Sequence, residues 1–417
     1  MRGRLLRLVS FIHLDLIILN LAFFLKQDII WSMKVALVID DRISRPGGIQ
    51  EYVLGLYDFL EKHGHQPLIF TTGRYSKKTK EGRKIIGIGV PFEFLGNDAQ
   101  KAIPLIFGQK EKIKRILKRE KPDVVHIQGF PGPLSLAFLR YSSSVNVMTY
   151  HVVNESALTE VLSKTFVALW KKIDENLQGK IAISEVAVDS AKKFIPGPYK
   201  IIPIGIDFDR FKPTTSRINK FEDGKTNILF VGRLDKRKGI EYLLKAYQIL
   251  GELLPTNIRL IIVGDGPEKQ KAKDYARKEK LKNVVFTGSV SRKDLPSWYA
   301  TADIFCSPAT HGESFGVVLL EAMASGLPVV AFDNPGYRSL LGKHSQGFLV
   351  FNKSISALAQ ALLILATDKD LRRRLGNQNR AFVKQFSWEK VGKEILKFYQ
   401  VCKTKQRPKA FVSSSGL

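Results

Sequence analysis

The sequence HGESFGVVLLEAMASGLPVVAF at positions 311–332 predicts a loop, a short helix and a buried strand in direct succession. The apolar run that starts at Val317 is typical of a helix, and Gly326 followed by Pro328 is typical of residues just beyond a helix C terminus. The next four residues, from Val329 to Phe332, are apolar and indicate a buried strand. Helices that alternate with buried strands are the units of an α/β domain.

Two glutamates flank the start of this predicted helix. Glu313 precedes the helix and Glu321 lies on it, eight positions further along the chain. At 1.5 Å of rise per residue the two carboxylates would lie roughly 12 Å apart, about the length of an activated sugar joined through a diphosphate to its ribose. The N–H groups of Ser314, Phe315 and Gly316 would face a diphosphate at the positive end of the helix dipole. The residues therefore predict a hydroxyl-binding carboxylate at each end of an anion site.

Two glutamates at this spacing are more often a loop residue and a half-exposed helix residue without a function. The flanking residues decide between the interpretations. Gly-Glu-Ser-Phe-Gly at 312–316 and Glu-Ala-Met-Ala-Ser-Gly-Leu-Pro at 321–328 resemble the signature of the retaining glycosyltransferases of family four. In that family the first glutamate contacts the sugar hydroxyls and the second binds the ribose. The resemblance therefore implies a catalytic role for Glu313 and ribose binding for Glu321.

Size and composition limit the class of protein. A chain of 417 residues is too long for one core and predicts two domains. The 66 Lys and Arg residues exceed the 39 Asp and Glu residues, which gives a net charge of +27. Such an excess indicates an anionic partner, which can be a nucleic acid, a phosphate-rich substrate or an anionic membrane surface. The two cysteines, Cys306 and Cys402, lie far apart, so a reducing compartment is expected.

The first 32 residues contain an apolar stretch, Leu14 to Leu25, that follows several arginines like a signal peptide or a membrane anchor. The stretch is shorter than the roughly 20 residues of a spanning helix, and it contains Asp15 and Asn20. Met33 is followed by a basic residue and a buried strand, as at the start of a cytosolic α/β enzyme. We therefore expect residues 1–32 to be an extension from an upstream start site, with an interfacial anchor as the alternative.

Strand–helix alternation continues through both halves of the chain. It predicts two doubly wound, Rossmann-like α/β domains that face each other across a cleft. The resemblance to family four implies the same architecture, the GT-B clamshell. We place an acceptor-binding domain at 33–205, a donor-binding domain at 206–387, a helix at 388–402 and a disordered tail at 403–417.

Cationic and glycine-rich loops follow two strands of the second half. GRLDKRKG at 232–239 follows the first of these strands, and GDGPE at 264–268 follows the next. Arg233 and Lys238 would neutralise the charge that builds on a diphosphate leaving group, although a solvated basic loop is the alternative. Both loops resemble family four, in which the first supplies the phosphate-binding Arg and Lys. The second loop, which begins at Gly264, has the general family form.

The first half has its own candidate loop and a candidate histidine. The pair Gly47 and Gly48 follows the first strand and precedes a helix predicted at Val53–His63, so phosphate or sugar could approach the backbone closely. His151 ends a predicted strand, where a lone histidine is more often structural than functional. Residues 46–50, which include Gln50, and the pair at 150–151 resemble the phosphatidylinositol mannosyltransferases. That resemblance implies that the glycine pair lies by the sugar diphosphate and that His151 bonds the sugar.

The resemblance also implies the reaction. In those enzymes mannose passes from GDP-mannose to an inositol lipid, with retention of configuration and without an essential metal or other cofactor. The acceptor proton goes to the departing phosphate oxygen, so no carboxylate nucleophile is needed. The alternative is a family-four enzyme that uses a UDP-sugar with a glycan or another lipid. Asp207 and Asp209 have the spacing of a metal motif, but we interpret them as a turn.

Basic segments in the first half suggest a membrane surface. A basic loop is predicted at 75–84 and a basic helix at 110–121, with the apolar residues 102–107 between them. Together they fit attachment to anionic lipid at the inner, cytoplasmic face of a membrane. A solvated helix that packs through Ile113, Ile116 and Leu117 is the alternative. A nucleic-acid partner is not expected, because the charge is spread over both halves and no recognition motif is present.

Overall fold

The computed structural model describes residues 32–45, 47–79, 82–96, 99–151, 167–254, 256–342 and 347–404. For residues 93–96 and 99–103 it describes the backbone only. The predictions for residues 1–31, for Pro46 and for the tail from residue 405 lie outside these ranges. The described residues form two α/β domains, each built around a largely or wholly parallel sheet, as predicted from the alternating pattern.

The first domain holds an eight-stranded sheet and a separate hairpin. Its strands, in chain order, are β1 Lys34–Ile39, β2 Gln66–Thr72, β3 Ser76–Lys78, β4 Lys84–Ile88, β5 Val90–Gly96, β6 Ala99–Leu105, β7 Val124–Gln128, β8 Val145–Tyr150, β9 Gly179–Ala182 and β10 Lys200–Ile201. The sheet order is β10-β9-β8-β7-β1-β2-β4-β3, and β3 alone runs antiparallel to its neighbour. β5 and β6 form the antiparallel hairpin. The basic segment 75–84 was predicted as a loop and instead contributes β3 and the first residue of β4.

The described helices of this domain cover the sheet. They are α1 Gly48–Lys62, α2 Lys110–Glu120, α3 Pro133–Tyr141, α4 Val167–Glu175 and α5 Glu185–Lys192. α1 begins at the glycine pair itself, five residues earlier than predicted. α2 is the predicted basic helix, and it buries Ile113 and Ile116 against the domain. Its apolar face is therefore used for packing within the protein.

The second domain has a six-stranded, fully parallel sheet with the order β13-β12-β11-β14-β15-β16. Its strands are β11 Thr226–Val231, β12 Ile258–Val263, β13 Val284–Gly288, β14 Ile304–Ser307, β15 Val329–Phe332 and β16 Phe348–Val350. Its helices are α6 Ile240–Leu253, α7 Lys269–Lys278, α8 Leu295–Thr301, α9 Val317–Ala324, α10 Pro335–Leu341, α11 Ile355–Thr367 and α12 Lys369–Val383. α9 and β15 are the helix and strand that positions 311–332 predict.

The final helix, α13 Trp388–Thr404, crosses back and packs on the first domain. A Cβ atom at either Gly55 or Gly205 would overlap the indole of Trp388, so these glycines make room for it. Further along α13, the Tyr399 hydroxyl lies 2.6 Å from Nδ1 of buried His126 in β7. The sequence predicted this helix but not the domain on which it packs.

In the parts of the chain that the structure describes, no helix has both the length and the apolarity that crossing a bilayer requires.

Candidate active site

The loop before α9 has a backbone that only glycine adopts easily. Gly316 has φ of 101°, in the left-handed region, and a Cβ atom there would lie 2.9 Å from the Tyr337 ring. α9 begins at the next residue, Val317. The loop also contacts the first domain, because the Ser184 hydroxyl donates a 2.6 Å hydrogen bond to the Ser314 carbonyl oxygen. The helix N terminus is therefore presented at the boundary between the domains.

Glu313 is held by two cations of the loop after β11. Lys238 Nζ lies 2.6 Å from Glu313 Oε1, and Arg237 Nη1 lies 3.0 Å from the same oxygen. The side chain of Glu313 is 10% exposed and that of Lys238 is 13% exposed, so solvent screens this cluster only weakly. The structure thus brings together Glu313 and Lys238, which the sequence predicted, and adds Arg237. The run of three basic residues at 236–238 carried a signal for Arg237 that we did not use.

Asp235 is the buried carboxylate that holds this basic loop in place. It is fully buried, and its side chain caps the turn of 3-10 helix Lys236–Lys238 by accepting a hydrogen bond from the Lys238 N–H. Burial raises the pKa of Asp235, and the charges of Arg237, Lys238 and Arg233 oppose that rise. Arg237 Nε lies 3.3 Å from Asp235 Oδ2, and Arg233 Nε lies 3.9 Å from the same atom. Asp235 therefore holds the turn that carries Lys238 and places a buried negative charge close to Arg237 and Arg233.

A cavity of about 250 Å³, which we call the central cavity, lies between the domains. Its walls combine first-domain residues with the cation loop and the N terminus of α9. They include Gly48, Ile49, His151, Ile183, Ile204, Arg237, Lys238, Gly312, Glu313, Ser314, Gly316 and Val317. Five predicted site residues in the loop before α9, the cation loop and the glycine pair therefore share one cavity with His151.

A second cavity of about 230 Å³, the lateral cavity, contains the other predicted glutamate. Glu321, Glu51, Arg210 and Arg292 are among its lining residues. Ile204 and Val317, the first residue of α9, line both cavities. The two glutamates therefore lie in adjoining cavities that share a wall at the helix N terminus, which is the arrangement expected from their spacing.

Glu321 has an environment that favours its protonated form. It is 4% exposed, and the Tyr299 hydroxyl donates a 2.7 Å hydrogen bond to Oε2. Burial raises the pKa of Glu321 to about 7, and the charge of Glu51 adds to the rise. The bond from Tyr299 and the charges of Arg210 and Arg292 act in the opposite direction.

His151 is a buried, neutral side chain in the wall of the central cavity. It is 5% exposed, and its Nε2 lies 2.9 Å from Gln128 Oε1. The Tyr52 ring meets it edge-on with the centroids 4.6 Å apart. Burial lowers the pKa of His151 to about 3. His151 is thus buried and packed as a structural histidine would be, and it also lines the central cavity, as a sugar-binding histidine would.

Five of the predicted residues line neither cavity. Gly47 directly precedes Gly48 of the central cavity, and a Cβ atom at Gly47 would overlap Gln50 Oε1. Phe315 packs edge-on against Phe386. Gln50 Nε2 lies 3.3 Å from Asp41 Oδ2, so it braces the loop before α1. The remaining two support the second-domain loops. A Cβ atom at Gly264 would overlap the Gly232 carbonyl oxygen, and Arg233 lies against Asp235.

An ion-pair cluster, which the sequence did not predict, joins the domains beside Glu321. Glu51 of α1 accepts from Arg292 Nε at 2.9 Å and from Arg210 Nη1 at 2.9 Å. Arg210 Nη2 also donates to the Arg292 carbonyl oxygen at 2.7 Å. These partners lie 159 and 241 positions from Glu51 along the chain, so no local pattern signalled their contact.

Within the described ranges, no group of three or more His, Cys, Asp or Glu residues is placed to hold a metal ion. The Asp207 carboxylate instead accepts from the N–H groups of Asp209 and Arg210, each at 3.0 Å, which confirms the predicted turn.

Known proteins resemble this chain along most of its length. Over 377 residues it is 30% identical to the phosphatidyl-myo-inositol mannosyltransferase of Mycobacterium tuberculosis, which covers 88% of this chain and 97% of that protein. It is 27% identical to the alpha-monoglucosyldiacylglycerol synthase of Streptococcus pneumoniae, over 88% of this chain and 85% of that one.

Solved structures share the fold at lower identity. Sucrose-phosphate synthase from Thermosynechococcus elongatus aligns with a TM-score of 0.70 at 21% identity, over 89% of this chain and 100% of that chain. Anabaena HepE in complex with UDP and glucose aligns with a TM-score of 0.68 at 20% identity, over 88% and 99%. The two domains thus form the GT-B fold.

Family models match both halves of the chain. Residues 46–210 match Glycosyltransferase Family 4, and residues 211–382 match Glycosyl transferases group 1. Together with the 30% identity over nearly all of a curated relative, these matches assign the family. The chain belongs to the group 1 glycosyltransferases, with an amino-terminal half of Glycosyltransferase Family 4.

Proposed function

We propose that the protein transfers mannose from GDP-mannose to a membrane lipid such as phosphatidylinositol, with retention of configuration at the sugar. The observation that carries the proposal is the pair of adjoining cavities at the N terminus of α9. Glu313 and two cations line one cavity, and Glu321 lines the other. A sugar, a diphosphate and a ribose follow each other in a nucleotide-sugar in the same order.

The diphosphate position is supported by charge and by donor geometry. The first N–H groups of a helix lack acceptors within it, and the helix dipole favours an anion there. In α9 the N–H groups of Leu319 and Leu320 bond the Gly316 carbonyl oxygen, so the donors for a diphosphate are those that precede Leu319. Lys238 donates one of its three protons to Glu313, and the other two can bind phosphate oxygens. Arg237 likewise has donors beyond the one it directs at Glu313.

The proposed chemistry takes place on one face of the sugar. The bond from the anomeric carbon to the phosphate oxygen breaks, a bond to the acceptor oxygen forms, and the acceptor proton passes to the departing phosphate oxygen. Lys238 and Arg237 stabilise the charge that develops on the diphosphate. Glu313 is the one carboxylate among the described residues of the central cavity, and two cations hold its Oε1. That arrangement suits a role of Glu313 in binding sugar hydroxyls better than a role as the nucleophile.

The lipid acceptor is supported by an apolar surface on the first domain. Phe92 on the β5–β6 hairpin is 55% exposed, and Phe107 just after it is 87% exposed. The exposed basic side chains of α2 follow directly along the chain. Apolar groups beside basic ones favour an anionic membrane surface, so we place the protein on the inner face of the cytoplasmic membrane.

Mannose and phosphatidylinositol are supported by the mycobacterial relative, whose name states that activity. The alternative is a UDP-sugar with another lipid or a glycan as acceptor. It is favoured by the resemblance to a glucosyl-lipid synthase and by the general form of the loop at Gly264.

The first experiment is a thermal-shift screen with GDP-mannose, UDP-glucose, UDP-N-acetylglucosamine, GDP and UDP. A ligand present at 100 times its Kd stabilises the folded state by about 2.7 kcal/mol. Stabilisation by the guanosine compounds alone is the expected result, and stabilisation by a uridine sugar would favour the alternative. No response to any nucleotide would overturn the assignment of the two cavities.

Transfer is then measured with radiolabelled GDP-mannose and vesicles that contain phosphatidylinositol. NMR of the released headgroup gives the anomeric configuration, which we expect to match that of the donor. The assay is repeated with a chelator, since we propose that no metal or other cofactor takes part. Loss of transfer that Mg²⁺ or Mn²⁺ restores would contradict that part of the proposal.

A further inference from the structure

His151 and Gln128 meet at the carboxyl ends of two neighbouring parallel strands. Gln128 is the last residue of β7 and pairs with Thr149 of β8, and His151 follows the end of β8. Their side chains are almost completely buried, with 2% of Gln128 and 5% of His151 exposed. Gln128 Oε1 lies 2.9 Å from His151 Nε2, so the strands hold the two groups at hydrogen-bonding distance.

The amide oxygen determines where the imidazole carries its proton. A carbonyl oxygen only accepts, so the ring nitrogen that faces it must carry the hydrogen. The neutral ring has a single N–H group, which leaves a lone pair on the other nitrogen. Burial lowers the pKa of His151 to about 3, so the ring stays neutral at physiological pH.

The second ring nitrogen has no partner within the described part of the chain. His151 Nδ1 and Gln128 Nε2 are both buried atoms without a hydrogen bond there, and of the two residues only His151 lines the central cavity. Buried polar atoms in native proteins are nearly always bonded, so an unbonded one in a cavity wall indicates a ligand. The nearby His126 differs, because both of its ring nitrogens are bonded, to Tyr399 and to Thr149.

We propose that Gln128 is a positioning residue that fixes the Nε2–H tautomer of His151, so that Nδ1 accepts a hydrogen bond from a hydroxyl of the bound hexose. The neighbouring groups favour an acceptor at this position. Lys238, Arg237 and the N–H groups of α9 are donors, and Oε1 of Glu313 is already engaged by two cations. The several hydroxyls of a hexose must also donate, and Nδ1 provides an acceptor in addition to the Glu313 carboxylate. The identity of the hexose rests on the proposed function, whereas the tautomer does not.

The tautomer is tested by NMR of protein labelled with ¹⁵N-histidine, without any donor present. The chain has seven histidines, and His151→Gln identifies the resonances of His151. We expect the wild type to show a protonated-type shift at Nε2 and an unprotonated-type shift at Nδ1. Gln128→Glu should keep that pattern at a pH above the pKa values of the new carboxyl–imidazole pair, where the carboxylate is ionised and only accepts while the ring is neutral. Gln128→Met, which has similar length and no polar atom, should give a mixture of tautomers.

Kinetics then tests the consequence for the sugar. Loss of one fixed hydrogen bond should lower kcat/KM for the nucleotide-sugar roughly tenfold in Gln128→Met, with Gln128→Glu close to the wild type. A purely structural role would not give this rescue by the carboxylate. A proton on Nδ1 in the wild type, or an unchanged spectrum in Gln128→Met, would overturn the inference. If the tautomer is as expected but no nucleotide-sugar is used, the proposed function fails and the tautomer assignment stands.

Discussion

At the scale of single residues, the site is a cluster in which buried carboxylates and cations balance each other's charge. One oxygen of Glu313 receives both Lys238 and Arg237, and the buried Asp235 lies beneath the same cations. Because Glu313 and Asp235 balance the cations before a substrate binds, the loop that carries Lys238 and Arg237 is held in place. Because Lys238 and Arg237 each have further donors, they can bind a diphosphate while they still bond Glu313, so the carboxylate keeps its partners.

Replacement of Lys238 by alanine should lower kcat/KM by roughly a hundredfold or more, because a cation that stabilises the leaving group acts mainly in the transition state. The matched control is Lys236→Ala, which removes an exposed lysine from the same turn. Steady-state kinetics and melting temperatures of both variants make the comparison. Equal activities in the two variants would remove Lys238 from the catalytic site.

The raised pKa of Glu321 predicts a pH-dependent stability. Between its ordinary value of 4.5 and about 7, the folded state holds a proton that the unfolded state has lost. Stability conferred by this residue is therefore fully present below pH 4.5 and declines as the pH rises towards 7. Glu321→Gln has no such proton to lose, so its stability should rise relative to the wild type over this range. Chemical denaturation of both proteins from pH 5 to 8 measures the difference, and a constant difference would contradict the assignment.

At the scale of helices and strands, the predictions from sequence succeeded where a pattern was local. α9, β15, α2 and α13 were recognised from apolar periodicity, capping glycines or charge. β3 was missed because its residues, Ser76 to Lys78, are exposed and polar, and a strand at the sheet edge needs no apolar alternation. Arg237 could have been found in the sequence, whereas the contacts of Glu51 could not, since they depend on how the domains meet.

The β5–β6 hairpin and α2 give a prediction at the same scale. Phe92→Ser together with Phe107→Ser should weaken binding to phosphatidylglycerol vesicles, because two exposed apolar side chains would be lost from the proposed membrane surface. The triple change of Lys114, Arg115 and Lys118 to glutamine should weaken it further, and mainly at low salt.

The control is a change of Lys369, Arg373 and Arg374 to glutamine, which removes the same charge from exposed positions on α12 of the other domain. Vesicle co-sedimentation compares the four proteins. If the α12 variant loses as much binding as the α2 variant, the attraction comes from net charge and no surface of the first domain is responsible.

At the scale of the whole molecule, polar contacts join the two domains in addition to a shared apolar cluster. Glu51 bonds Arg292 and Arg210, and Ser184 bonds the loop before α9. The side chains of Arg210 and Arg292 are 15% and 35% exposed, so the ion pairs are partly shielded from solvent. Glu51, Arg210 and Arg292 also line the lateral cavity together with Glu321. We therefore expect the ion pairs between the domains to affect binding at the proposed ribose site.

Glu51→Gln should therefore favour an open arrangement of the domains. We expect a larger radius of gyration in small-angle X-ray scattering and a higher KM for the donor, while the melting temperature changes little. Glu61→Gln, an exposed position near the end of the same helix, serves as the control. An unchanged scattering curve in Glu51→Gln would show that other contacts hold the cleft closed.

The return of α13 to the first domain also affects the order in which the chain can fold during synthesis. Tyr399 and Cys402 are buried, and a Cβ atom at Gly392 would overlap the Phe59 ring of α1, so the core around α1 and β7 is completed by residues made after the second domain. Every element of the second domain leaves the ribosome before α13 does. The domain translated first is thus completed only after the second domain has been made. Until α13 packs on it, the apolar surface around α1 and β7 stays exposed in the nascent chain and is prone to aggregation.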